Sequence, residues 1–204
     1  KLLSHIHRLE LKQMLVIMLT TSYSCGNEWK RGQQKHLYEM GNGNMVAIVT
    51  GKLLPQTVIY TILFWLFDII FYNYLEFPCA CGIPRMMLWG FLAVLASQGF
   101  GLLMFIAFPG QMRMAMSACS LLGVMQFSLA GFSFPVSAMD LPFQWLANIF
   151  PLHHYFVIYV NQALNGYAIY YVWTSVVALM IIFLLPQLFF WRLRDAFLHK
   201  DYKE

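Results

Sequence analysis

Long apolar runs alternate with short polar segments along this chain. Four of the runs are 22 to 25 residues long: 53–74, 86–108, 114–135 and 167–191. As α-helices rising 1.5 Å per residue, each is long enough to cross a hydrocarbon core of about 30 Å. A fifth run, 11–26, is weaker because polar residues follow its apolar centre and Lys12 has to extend toward an interface. We predict a fifth span there, with a helix lying on the membrane surface as the alternative.

Composition supports a membrane protein. Of the 204 residues, 60% are hydrophobic and 11% are charged, whereas soluble domains are about 45–50% apolar and about 25% charged. We therefore predict an all-α, polytopic membrane bundle of about five transmembrane helices that forms one transmembrane domain over 1–204. The sequence has no clustered basic face for nucleic acid. The four cysteines have neither metal-site nor disulfide spacing, so no metal site is predicted.

The positions of Lys and Arg predict the orientation. If the five spans alternate, nine of the thirteen positive residues lie on one side and four on the other, which assigns the nine to the cytoplasm. The segment 27–52 and the tail 192–204 are then cytoplasmic. The segment 136–166 lies outside, where a proline-bounded stretch with Trp145 predicts an interfacial or re-entrant helix pair before the last span.

Small residues recur every four positions in the third and fourth spans. They form two rows: Ala93, Ser97 and Gly101, and Ala115, Cys119 and Gly123. Each row lies on one helix face and predicts close helix packing. The alternative is that these faces widen a substrate path.

Few polar side chains interrupt the spans. Gln98 and Gln126 lie near mid-span, where hydrogen bonds between helices are the simplest role. Asp68 is a costly intramembrane carboxylate near the outer interface, and either an interhelical bond or a proton or substrate role fits it. These three residues are candidates for a translocation path. With one carboxylate there is no proton relay of the kind a proton-coupled carrier uses.

The segment that follows the first span is charged and compatible with a helix up to Gly41, so it is suited to docking a soluble partner. A solvated loop is the alternative. The chain lacks the Gly-x-x-x-x-Gly-Lys-Ser/Thr loop that holds nucleotide phosphates, so we predict that it has no ATP site of its own.

The order of motifs resembles the type-2 permease subunits of bacterial ATP-binding-cassette exporters. The resemblance covers about 14–194 and rests on spacing rather than on one specific motif. The matching motifs, in order, are Glu28-Trp29-Lys30-Arg31-Gly32, Gly51-Lys52-Leu53-Leu54-Pro55, Phe134-Pro135, Trp145-Leu146, Pro151-Leu152 and Asn165-Gly166. The chain departs from the family pattern at Gln33, at 41–44 and at 161–162.

The resemblance implies a non-enzymatic permease in the bacterial inner membrane that forms the substrate path. It implies an ATPase partner that binds ATP and Mg, a second permease copy or paralogue, and surrounding lipid, with no cofactor on this chain. The coupling residues would be Glu28, Trp29, Lys30, Arg31 and Lys35. Because such permeases begin with another helix and an extracytoplasmic domain, we expect this chain to be the C-terminal part of a longer one.

Two other classes remain as alternatives. One is a non-catalytic assembly or scaffold subunit. The other is a membrane-embedded lipid-modifying enzyme, whose outer-side candidates would be Asp68, Asp140, His153 and His154. These four side chains have no recognisable catalytic spacing.

Overall fold

The computed structural model describes residues 2–31, 44–109, 111–131 and 135–199, and within this part all regular structure is helical. The α-helices are α1 (Leu2–Lys30), α2 (Met45–Ile69), α3 (Ile83–Ala107), α4 (Met112–Leu129), α5 (Leu141–Ala147), α6 (Pro151–Tyr159), α7 (Trp173–Leu188) and α8 (Phe190–His199). π-helical turns continue α2 at Ile70–Tyr74 and α6 at Val160–Leu164, and 3₁₀ turns lie at Val136–Ala138 and Ile169–Tyr171. The predicted all-α class is confirmed.

Helix α3 lies at the centre of the bundle and contacts α1, α2, α4, α6 and α7. Within the described residues, three helical segments are long and apolar enough to cross a membrane: Met45–Tyr74, Ile83–Ala107 and Trp173–Asp195. The most apolar part of α3 is 72% buried, against 17% for Met45–Tyr74 and 28% for Trp173–Asp195. The faces that α2 and α7 leave open are apolar, as expected for helices in contact with lipid. These features fit a helical membrane bundle. That α1 and α4 also cross the membrane remains a prediction.

One apolar cluster shows how the helices alternate in direction. It joins the end of α1 at Cys25, the start of α2 at Met45, the end of α3 at Phe105, the start of α4 at Ala115 and the α8 residue Phe190. These chain ends therefore meet at one end of the bundle. Helices α1, α3 and α7 run toward that end, and α2 and α4 run away from it.

Several helix boundaries differ from the sequence-based segments. Helix α1 begins at Leu2, nine residues before the predicted span, and continues past residue 26 to Lys30. Gly26 lies inside this helix, and a Cβ there would come within 2.6 Å of Met112 Cγ. Helix α2 begins eight residues earlier than expected, since the Asn44 side chain caps it by accepting a hydrogen bond from Val46 N at 3.1 Å. The predicted coupling segment 27–52 thus includes the end of α1 and the start of α2.

The helices formed by the last two apolar runs, 114–135 and 167–191, are shorter than the runs themselves. Helix α4 ends at Leu129, just before Gly131, whose φ of +93° no helix accommodates. Helix α7 begins at Trp173 rather than 167, after the 3₁₀ turn. It ends at Leu188, two residues after Pro186.

At the other end of the bundle, the α2–α3 connection rests on the π turn that follows α6. The backbone N–H of Ala80 donates to the carbonyl of Ala163 at 3.0 Å. Gly166, with φ +64°, lies so close that a Cβ there would come within 2.9 Å of the Ala80 Cβ. Short helices α5 and α6 lie at this end, each with a proline in its first turn.

Candidate functional site

A hydrogen-bonded polar cluster joins α1 to α2 inside the bundle. Gln56 donates through Nε2 to the hydroxyls of Thr20 at 2.9 Å and Thr21 at 3.0 Å. The Tyr60 hydroxyl lies 3.0 Å from the Thr20 hydroxyl, and Gln13 donates to the Tyr60 carbonyl at 3.2 Å. Two of the polar residues that weakened 11–26 as a span, Thr20 and Thr21, are therefore paired with α2.

Gln98 forms a second polar contact, between α3 and α2. Its side chain is 2% exposed, and its Oε1 accepts a hydrogen bond from the Thr57 hydroxyl at 2.8 Å. The same hydroxyl also lies 2.8 Å from the carbonyl of Leu53. Within the described part of the chain, the buried Nε2 of Gln98 has no hydrogen-bond acceptor. Gln98 thus retains an unused donor inside an apolar bundle.

Gln126 is a second buried glutamine, on α4. It is 1% exposed, and its Nε2 donates to the sulfur of Met18 on α1 at 3.3 Å. Its Oε1 finds no donor among the residues described. A thioether is a weak acceptor, so Gln126 joins α4 to α1 through one weak bond.

Asp68 is fully buried where α2 faces α3. A Cβ placed on Gly90 would lie 3.4 Å from Asp68 Oδ2, so the carboxyl group is directly beside the α3 backbone. The ring of Phe64, one turn earlier on α2, also abuts Gly90. Residue 98 is eight residues farther along α3, or about 12 Å at 1.5 Å per residue. Asp68 and Gln98 therefore contact α3 at separate levels.

Both rows of small residues face the interior. Ala93, Ser97, Ala115 and Cys119 are completely buried. The third member of each row makes a close helix contact. A Cβ at Gly101 would come within 2.5 Å of the Met18 carbonyl oxygen, and one at Gly123 within 2.9 Å of the Leu15 side chain. Both rows thus lie where α3 and α4 approach α1.

The candidate coupling residues lie at or beyond the end of α1. Lys30 and Arg31 are exposed there. Glu28 and Trp29 belong to α1, but their side chains lie outside the described part, as does Lys35. Lys52 of α2 donates through Nζ to the Ser24 carbonyl at 2.6 Å, which joins the exposed end of α1 to α2.

The structure does not bring the three path candidates into one site. Gln98 bonds to α2 and Gln126 bonds to α1. Asp68 of α2 contacts α3 at Gly90, about 12 Å along α3 from Gln98. Gln56, Thr57 and Tyr60 were not among the residues predicted for the site. Their spacing was an available signal, because residues 56 and 60 share one face of α2. Among described residues, no group of three His, Cys, Asp or Glu side chains could hold a metal ion.

The apolar exposed faces, the buried polar contacts between helices and the converging chain ends define a multi-pass helical membrane protein. Comparison with protein families narrows this class. The family described as ABC-2 family transporter protein matches residues 14–192, and the chain belongs to it. No curated protein and no solved structure matches the chain. The chain is thus a membrane permease component of an ABC transporter, and membrane subunits of this family work with ABC ATPase partners.

Proposed function

We propose that this chain is the permease subunit of an ATP-driven exporter and that it couples to a separate ATPase at the end of α1. The observation that carries the proposal is the continuity of α1. It runs without a break from buried residues such as Met14 and Met18 to the exposed Lys30. A continuous helix transmits displacement along its axis because hydrogen bonds from each residue to the residue four positions earlier join successive turns. ATP and Mg would bind to the partner.

The exposed positive residues also support docking of the ATPase at the end of the bundle where α1 ends. Lys30 and Arg31 are exposed, and the first turn of α4 adds the exposed Arg113. Exposed arginines at 192 and 194 on α8 lie at this end as well. By the positive-inside tendency, we expect such an end to lie in the cytoplasm. We therefore propose an inner-membrane location with a cytoplasmic C-terminus.

A second permease subunit has a suitable surface on α4. Exposed residues recur on this helix at intervals of three and four and mix apolar with hydroxyl side chains: Met114, Ser117, Leu121, Val124 and Ser128. Lipid-facing stripes are expected to be more uniformly apolar. The mixed stripe supports a second copy or paralogue of this chain across a substrate path, with Gln126 behind it.

The coupling proposal is tested with the full-length permease co-purified with its ATPase in lipid. Lys30→Ala and Arg31→Ala, together or with Glu28→Ala, should lower coupled ATPase activity several-fold while the complex still assembles. Arg85→Ala is the matched control because Arg85 is exposed at the opposite end of α3. Undiminished coupled activity in the α1 variants would refute coupling through this helix end.

Asp68 is tested separately through transport. Asp68→Asn keeps the shape of the side chain and removes its charge. A loss of transport with normal assembly supports a role in the path, and unchanged transport assigns Asp68 to structure alone.

A further inference from the structure

The α2–α3 connection contains two cysteines whose sulfur atoms lie close together. Cys79 and Cys81 are separated by one residue, and their Sγ atoms are 4.0 Å apart. Both side chains are half-buried and pack against the core cluster that contains Met86 and Trp89. Spacing along the chain predicts no metal site here, so the approach of the two thiols is a feature that only the structure shows.

The backbone between the two cysteines is held by contacts from another element. The N–H of Ala80 donates to the carbonyl of Ala163 at 3.0 Å, and Gly166 leaves room for the Ala80 methyl group, since a Cβ at Gly166 would come within 2.9 Å of it. The Cys81 thiol also donates a weak hydrogen bond to the carbonyl of Gly82 at 3.7 Å. These contacts fix the middle of the pair, so the two thiols are arranged before a ligand binds.

A single ion can bridge the two sulfur atoms without moving them. Two metal–thiolate bonds of about 2.3 Å span the 4.0 Å separation at a sulfur–metal–sulfur angle of about 120°. A disulfide bond is about 2.05 Å long, so forming one would require the sulfur atoms to close by about 2 Å. The hydrogen bond from Ala80 to Ala163 opposes such a contraction. The geometry therefore favours a bridging ion over a disulfide.

Charge favours a cation at the same position. Burial, the neighbouring Cys81 and Asp68 all raise the pKa of Cys79. Two of these causes are negative charges, on ionised Cys81 and on Asp68, and a cation between the sulfur atoms would offset both. When the cation binds, each thiol releases its proton to the solvent, and the two thiolates become its ligands.

We propose that Cys79 and Cys81 form a binding site for one Cu(I) ion. Thiolates are soft ligands that favour Cu(I), Zn²⁺ or iron–sulfur clusters, whereas Mg²⁺ and Ca²⁺ take oxygen ligands. Structural Zn²⁺ and iron–sulfur clusters take four protein ligands, and within the described part of the chain no third His, Cys, Asp or Glu completes a metal-binding group with this pair. Cu(I) is stable with fewer ligands, so two thiolates suffice. The site lies at the end of the bundle opposite Lys30 and does not depend on the proposed function.

The test is an anaerobic Cu(I) titration of the reduced, full-length protein in competition with the colorimetric chelator bicinchoninate. We expect one Cu(I) ion per chain to resist the chelator. Cys79→Ser and Cys81→Ser should each lose this ion, because a single thiolate does not chelate. Cys25→Ser and Cys119→Ser are the matched controls, since these free cysteines are buried on α1 and α4, and both should keep full binding.

A second measurement needs no variant, so it holds even where a substitution disturbs folding. One equivalent of Cu(I) should protect Cys79 and Cys81 together from prolonged alkylation by N-ethylmaleimide, as mapped by peptide mass spectrometry. X-ray absorption at the copper edge should show two sulfur ligands in the unmodified protein.

Four results would overturn the proposal. One is copper that remains in either the Cys79→Ser or the Cys81→Ser variant, or that is lost equally in the two controls. Another is protection of only one of the two cysteines. The others are displacement of Cu(I) by one equivalent of Zn²⁺, and a disulfide between Cys79 and Cys81 in protein isolated anaerobically.

Discussion

The approach of α3 to α1 at Gly101 gives the sharpest stability prediction. An added Cβ would lie 2.5 Å from the Met18 carbonyl oxygen, 3.0 Å from its Cα and 3.1 Å from its carbonyl carbon. All three are backbone atoms of α1, so no side-chain rotation relieves the overlap. In a Gly101→Ala variant the two helix backbones must separate until the shortest of these distances reaches ordinary contact, which begins at 3.4 Å.

The expected cost can be worked from two opposing effects. Overpacking a well-packed interior costs typically about 1–3 kcal/mol, and a backbone clash belongs at the upper end. Alanine favours a helix over glycine by about 1 kcal/mol. The net loss in the free energy of unfolding should therefore be about 2 kcal/mol, or roughly 30-fold in the unfolding equilibrium.

Gly51 provides the matched control. It also lies inside a helix, but a Cβ there meets no atom within 4 Å, so Gly51→Ala should stabilise by up to about 1 kcal/mol. Both variants of the full-length protein are unfolded by titration with SDS in mixed micelles and followed by tryptophan fluorescence. A difference between them of less than about 1 kcal/mol would refute the close approach at Gly101.

The remaining predictions concern polar and titratable groups. Thr57→Val removes the donor to Gln98 and should cost about 1–2 kcal/mol of stability; a double-mutant cycle with Gln98→Leu should show coupling, and additivity would contradict the contact. Burial and the nearby Cys81 raise the pKa of Cys79 from 9.0 to about 11. At pH 8, alkylation of Cys79 by iodoacetamide should thus be about 100-fold slower than that of an ordinary thiol, which peptide mass spectrometry measures. Burial lowers the pKa of His153 and His154 from 6.5. The unfolded chain then binds protons first, so their contribution to stability is present above pH 6.5 and lost below it. SDS titrations at pH 7.5 and pH 5 should show the loss, and replacing both histidines by Gln should reduce it.

Run length and charge scarcity suffice to predict the all-α membrane class, because a chain in lipid must satisfy its backbone within helices. They do not predict which helix lies at the centre. Helices α2 and α3 are both apolar over about 25 residues, yet only α3 is mostly buried. Lipid and protein interiors are equally apolar, so a hydropathy pattern cannot distinguish a lipid-facing helix from one surrounded by other helices.

Close contacts were predictable only where they fell on one repeating face. Gly101 belongs to the four-residue row that the sequence shows, whereas Gly90 and Gly99 do not. A Cβ at Gly99 would come within 2.9 Å of the backbone of Ile182 and Phe183 on α7, and one at Gly90 would meet Phe64 on α2. A central helix approaches different neighbours on different faces, so its small residues follow no single period.

The distribution of these contacts bears on how a displacement at the ATPase end would travel. At Gly101, the α1 atoms nearest to an added Cβ are backbone atoms of Met18, whereas at Gly123 they are side-chain atoms of Leu15. Backbone contact leaves little room for sliding, whereas a leucine side chain can change rotamer. Under the proposed function, a movement of α1 would therefore shift α3 with it and let α4 lag. The contact between α1 and α4 contains the weak bond of Gln126 to Met18 and a side-chain hydrogen bond between Cys119 and Ser22. Under the proposed function we expect the bundle to open there, behind the mixed exposed stripe of α4.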